Sequence, residues 1–234
     1  MPLIPDMATT SSVIALLLAA STASAAITID TVLVGDAGND SDTTGYGAVP
    51  YDYHIGTHEV TNSQYTAFLN AVAATNDTHG LYNSEMSITN SSGTYSTSAP
   101  NNPVTHVSFW SAARFANWLT NGQPTGGQGD NTTEDGAYSL TSAGITNNTV
   151  TRGDWYNGAE GNTSSETVFA IASENEWYKA AYYDGDGGYY DYPTQSDTAP
   201  TAVAPGDATE SNNANYSDAV GSVTDVGAYP NSAS

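Results

Sequence analysis

No cysteine occurs in the 234 residues. Disulfides, thiolate metal ligands and thiol nucleophiles are therefore excluded from what this chain itself supplies. Basic residues are nearly as scarce: Arg114, Arg152 and Lys179 stand against 25 acidic residues, for a formal net charge of −22. A surface so poor in cations repels phosphate backbones and anionic headgroups, so nucleic acid is not an expected partner. Cations, neutral sugars and basic protein surfaces stay open. The acids are spread along the chain instead of massed in one block, and solubility in a salty medium is their plainest use. Long apolar runs are missing too. The run at residues 13–20 falls far short of the about 20 residues that cross a bilayer, so the chain is not expected to span a membrane. Among catalytic motifs there is no Gly-x-Ser-x-Gly elbow, no His-Glu-x-x-His and no phosphate-cradling glycine loop with a lysine.

What is present begins with a leader. The apolar run at 13–20 is followed by small residues and an Ala23-Ser24-Ala25 cleavage pattern, which predicts a signal peptide over residues 1–25 and a secreted or otherwise extracytoplasmic protein. The first twelve residues depart from the usual pattern in having no Lys or Arg and one acid, Asp6. Residues 26–234 then suit one domain with length enough for a core.

Periodicity places strands at 27–35 and 51–60. A helix follows, capped by Thr61 or Asn62, with Tyr65, Phe68, Leu69 and Val72 on one face. A second starts at Ser108, carries Ala112, Phe115, Ala116 and Leu119, and stops at Gly122. Short strands are expected at 137–140 and 168–171. Ser173 and Glu176 form a capping box for a third helix bearing Trp177, Ala180 and Ala181. Glu176 is thereby read as a cap in preference to a general base. The stretches 75–103, 123–136 and 147–165 and everything from Asp184 onward read as irregular.

Three motifs stand out in order. The first is Tyr53-His54-Ile55-Gly56-Thr57-His58-Glu59-Val60-Thr61-Asn62, continuing to Tyr65 and Phe68. The second is Pro103-Val104-Thr105-His106-Val107-Ser108-Phe109-Trp110-Ser111-Ala112-Ala113, followed by Trp118-Leu119. The third is Ala172-Ser173-Glu174-Asn175-Glu176-Trp177-Tyr178-Lys179-Ala180-Ala181. Together they resemble the formylglycine-generating-enzyme, or sulfatase-modifying-factor, family over roughly residues 51–229. The resemblance implies an irregular, loop-rich α+β domain related to C-type lectins. Two departures stand out. Ala172 replaces the family's Pro, and the sequence stops shortly after Val226-Gly227-Ala228-Tyr229-Pro230-Asn231, ahead of the family's Gly-Asn-x-Trp-Glu-Trp and catalytic region, so the C-terminal part is expected to be missing.

Formylglycine-generating members hold copper with a pair of cysteines and oxidise a substrate cysteine with oxygen. Soft thiolate is what retains Cu(I). The resemblance therefore carries over no catalytic or cofactor-binding residue and no copper site. A related branch, similar to ergothioneine-forming sulfoxide synthases, holds non-haem iron through three histidines. His54 and His58 echo it, but in a strand they lie about 13 Å apart, beyond joint reach of one ion. His79 and His106 read as ordinary polar residues. The resemblance also implies structural calcium, with Asn215 in Ala214-Asn215-Tyr216 at the ligand position; Asp184, Asp186, Asp191, Asn213 and Asp218 offer oxygens nearby, and the same residues read equally as a solvated acidic loop. Tyr178, Tyr182, Tyr183, Tyr189, Tyr190 and Tyr192, beside Asp and Asn, offer rings that stack on carbohydrate or pack against loops. The expected function is an exported, non-catalytic binding or structural module contacting carbohydrate or a protein surface. The alternative is an oxidoreductase whose site lies in the missing C-terminal part.

Overall fold

The computed structural model describes residues 26–152 and 167–232. The leader expected over residues 1–25 and most of the stretch 147–165 lie outside them. Two helices hold the centre. α1 (Asn62–Val72) begins where Thr61 turns extended: its hydroxyl accepts the Gln64 amide, and the Gln64 side chain accepts the Thr61 amide. This reciprocal pair satisfies donors that the first helical turn leaves open. α2 (Phe109–Thr120) is capped by Ser108, which accepts the Ser111 amide, and ends at Asn121 before Gly122 takes a φ of +79°.

The α1 stripe, Tyr65, Phe68, Leu69 and Val72, is buried as its spacing predicts. It meets α2 through rings, with centroids 5.3 Å apart for Phe68–Phe115 and for Phe68–Trp118. α2 is enclosed more widely than its expected stripe. Ala113, Arg114, Asn117 and Trp118 are buried beside Phe115, Ala116 and Leu119, whereas Ala112 is half-buried. A second core cluster explains the excess, because Ala113 and Ala116 pack with Ala137, Tyr138 and Leu140. Asn117 serves it by donating to the Thr133 and Tyr138 carbonyls and accepting the Tyr138 amide, all within 2.9 Å.

Strands are short. β1 (Thr31–Val34) pairs antiparallel with β2 (Tyr53–Gly56), so the strands expected over 27–35 and 51–60 pair only in their middles. β3 (Thr89–Ser91) and β4 (Thr94–Ser96) form a hairpin inside 75–103, a stretch that reads as irregular in sequence. β5 (Tyr138–Ser139) falls within the predicted strand 137–140 and pairs with β6 (Thr151–Arg152) across the short α3 (Ser142–Thr146). Residues 168–171 correct the sequence reading: they join no ladder. Instead Val168 and Ile171 lie against the second core, and the Ile171 amide donates to the Tyr138 hydroxyl at 2.8 Å. After α4 (Glu174–Tyr182), β7 (Thr201–Ala202) and β8 (Asn213–Ala214) pair in parallel. Among the described residues every ladder has two strands. The architecture is α+β, with much of the chain in loops whose backbone groups are held by turns and side chains.

Candidate functional site

α4 is the element that gathers polar and aromatic chemistry. Its capping box is the predicted one: Ser173 accepts the Glu176 amide at 3.3 Å, and Glu176 accepts the Ser173 amide at 2.6 Å. The face turned inward is not apolar. Glu176 and Lys179 are buried, while Trp177 is 54% exposed. Glu176 accepts the Tyr51 hydroxyl at 2.9 Å on one carboxylate oxygen, and the other lies 3.9 Å from the Arg152 guanidinium. The Tyr53 hydroxyl donates to the Glu176 carbonyl. Burial, reinforced by the negative charge of Glu176, pushes both phenols well above their ordinary value. Lys179 donates to the Asp36 carbonyl at 2.8 Å and lies 5.5 Å from the Tyr183 ring centre. Burial lowers its pKa, against the opposing pull of Asp36 and Asp52.

The segment 36–53 is thereby strapped across α4 and the turn after it. Tyr178 donates to Asp42 and Tyr183 to Asp36. Those bonds, foremost among the causes, raise the Tyr178 phenol and push the Tyr183 phenol up to about 12. Asn39 donates to the Gly47 carbonyl and the Tyr189 hydroxyl, and Asn175 accepts the Gly47 amide. Rings run along this strap without a break. Centroids are 5.8 Å apart for Tyr46–Tyr178, 4.8 Å for Tyr178–Tyr182 and 6.0 Å for Tyr182–Trp177. Tyr189 sits 5.7 Å from Tyr178 and 5.2 Å from Tyr183. The sequence cluster thus holds for Tyr178, Tyr182, Tyr183 and Tyr189, while Tyr192 joins Tyr216 at 6.1 Å instead. Tyr46, 41% exposed, was missed because it lies far away in sequence.

The remaining candidates do not converge. His54 and His58 are both exposed, and His54 lies 3.4 Å from the Thr31 hydroxyl. His79 approaches Glu134 at 3.5 Å and His106 approaches Glu85 at 3.4 Å. Asn215 uses its amide inside its own loop, donating to the Ser222 carbonyl at 2.9 Å and accepting the Val220 amide at 3.1 Å. Asn213 is buried, and its amide oxygen, in the orientation that suits its neighbours, accepts the Thr209 and Glu210 amides. Asp184 is held by the amides of Asp186 and Gly188, which keep it below the usual carboxylate range. Among the described residues no three His, Cys, Asp or Glu side chains gather where they could share an ion. Calcium wants six to eight oxygens, and the Asn215 oxygen expected to bind it accepts the Val220 amide. A surface groove of about 510 Å³ is lined by residues including Asn102, Pro205, Val220, Thr224, Asp225 and Gly227.

The model of the sulfatase-modifying factor enzyme 1-like domain matches residues 32–234. No curated protein and no solved structure matches the chain. Among the described residues no helix is long and apolar enough to cross a membrane.

Proposed function

Since the chain belongs to the family of sulfatase-modifying factor enzyme 1-like domains, we propose that it works outside the cytoplasm as a non-catalytic binding module. The observation that carries this reading is the unbroken run of rings along α4, open to solvent at Tyr46 and Trp177. Exposed contiguous aromatic surface on a folded domain marks contact with something else. Composition supports the non-catalytic half: with no cysteine in the sequence, the chain offers no thiolate for the family's copper chemistry. The cleavage pattern at Ala23-Ser24-Ala25 supports export. The proposal does not call on calcium. The test is turnover. The purified chain, incubated with copper, oxygen and a cysteine-containing sulfatase peptide, is expected to leave that cysteine unchanged by mass spectrometry. Formylglycine above a copper-only control overturns the reading.

A further inference from the structure

We propose that the ring run along α4 docks a basic protein segment, with its Lys or Arg side chains lying over Trp177 and Tyr46. The inference rests on the binding-module reading and names the chemistry of its partner. Three observations lead to it.

First, α4 reverses the usual order of a surface helix: Glu176 and Lys179 face inward, and the indole of Trp177 faces water at 54% exposure. The face that remains open carries this indole beside Glu174 and Asn175.

Second, that surface is rimmed by negative charge, and the cation that lies against it, Lys179 beside the Tyr183 ring, is buried. Asp42 and Asp36 hold the Tyr178 and Tyr183 hydroxyls, exposed Asp184 and Asp186 follow the helix, and exposed Glu174 lies one turn before Trp177 and Tyr178. The sequence has three basic side chains. Lys179 is buried against the Asp36 carbonyl, Arg114 is buried against Glu134, and Arg152 reaches the Ile171 carbonyl beside Glu176. An aromatic face beside carboxylates that outnumber the nearby cations attracts a cation twice over, through the ring quadrupole and through charge.

Third, several polar groups along the strap that could serve a sugar are already in use. The Asn39 amide donates to Gly47 and Tyr189 and accepts the Val49 amide. The Asn175 oxygen accepts the Gly47 amide, and the Tyr178 and Tyr183 hydroxyls are committed to carboxylates. Ring faces and carboxylates stay open beside one another, and a cation answers to both. A second copy is disfavoured because each chain carries −22.

The experiment is fluorescence anisotropy of an end-labelled Arg-Gly repeat peptide, with an end-labelled Glu-Gly repeat of equal length and end-labelled maltohexaose as comparisons, all at one ionic strength. The Arg-Gly peptide is expected to bind and the Glu-Gly peptide not to. Trp177→Ala and Tyr46→Ala change no charge, and each is expected to weaken binding by about two- to fivefold while keeping the wild-type melting curve, since both rings are exposed. Equal affinity in wild type and both variants reduces the effect to general charge attraction and overturns the proposal. Binding of maltohexaose that is lost in Trp177→Ala, with no binding of the Arg-Gly peptide, overturns the basic partner and leaves the binding module standing. The module itself fails separately, in the turnover assay.

Discussion

Arg114 is 3% exposed and sends two nitrogens to the two oxygens of Glu134, each at 2.7 Å. Burial alone would raise the Glu134 carboxyl. The paired bonds from Arg114, the Thr133 hydroxyl and the charges of Arg114 and His79 outweigh it and hold the carboxyl below its usual value. Removing one member strands the other in the core, so Glu134→Ala is expected to destabilise by about 3–5 kcal/mol. Melting temperature should fall by on the order of 10 °C. Arg114→Met with Glu134→Leu should recover much of that loss, because no buried charge is left alone. The sign of the pH effect follows from the lowered folded value. The contribution is complete above the ordinary carboxylate value of 4.5 and disappears as pH falls through the lower folded-state value. Acid unfolding curves should therefore be shallower below about pH 4.5 in Glu134→Ala than in wild type. An equally steep acid limb in the variant would assign the pH dependence elsewhere.

The three longer helices were legible because their start signals are local. Thr61 with Gln64, Ser108 with Ser111, and Ser173 with Glu176 are contacts between residues three apart, and the structure holds all three. What was not legible depends on partners distant in sequence. Trp177, Ala180 and Ala181 are the apolar residues that the sequence offers on α4, yet Lys179 takes an inward position because Asp36 waits 143 residues earlier. Residues 168–171 have strand composition but find no partner strand and bond instead to Tyr138 and Thr120. The β3–β4 hairpin did leave a signal, the Ser92-Gly93 pair, whose φ values of 52° and 85° make a turn of the twist that hairpins favour. That turn is also the tightest test of the fold. A Cβ on Gly93 would lie 2.0 Å from the Ala74 carbonyl oxygen, which is backbone just past α1. Gly80, with a φ of +63°, has nothing within 4 Å of the same position. Gly93→Ala is expected to destabilise by about 3 kcal/mol and Gly80→Ala by about 1 kcal/mol, read from urea midpoints. Equal costs would show that backbone strain alone matters and the close approach does not.

Twenty-five acids against three bases, with the bases held against carboxylates or carbonyls of their own chain, leave the folded molecule under self-repulsion that compactness increases. Screening relieves it. Raising sodium chloride from about 10 mM to about 1 M shortens the Debye length from about 30 Å to about 3 Å, and the melting temperature should rise throughout. Calcium and magnesium would then act only as screening ions. At matched ionic strength they are expected to raise the melting temperature equally, although calcium tolerates irregular oxygen cages that magnesium does not. Asn215 decides whether that account is complete. Its amide spans residues 215–222 through the Ser222 carbonyl and the Val220 amide, two bonds that are each worth about 1 kcal/mol. Asn215→Ala should therefore lower the melting temperature by the same amount in sodium, magnesium and calcium salts, because what it removes is a brace within the loop. An excess shift with calcium that disappears in Asn215→Ala would mean the oxygen leaves Val220 for the ion. The loop as it stands would then be only one of two arrangements.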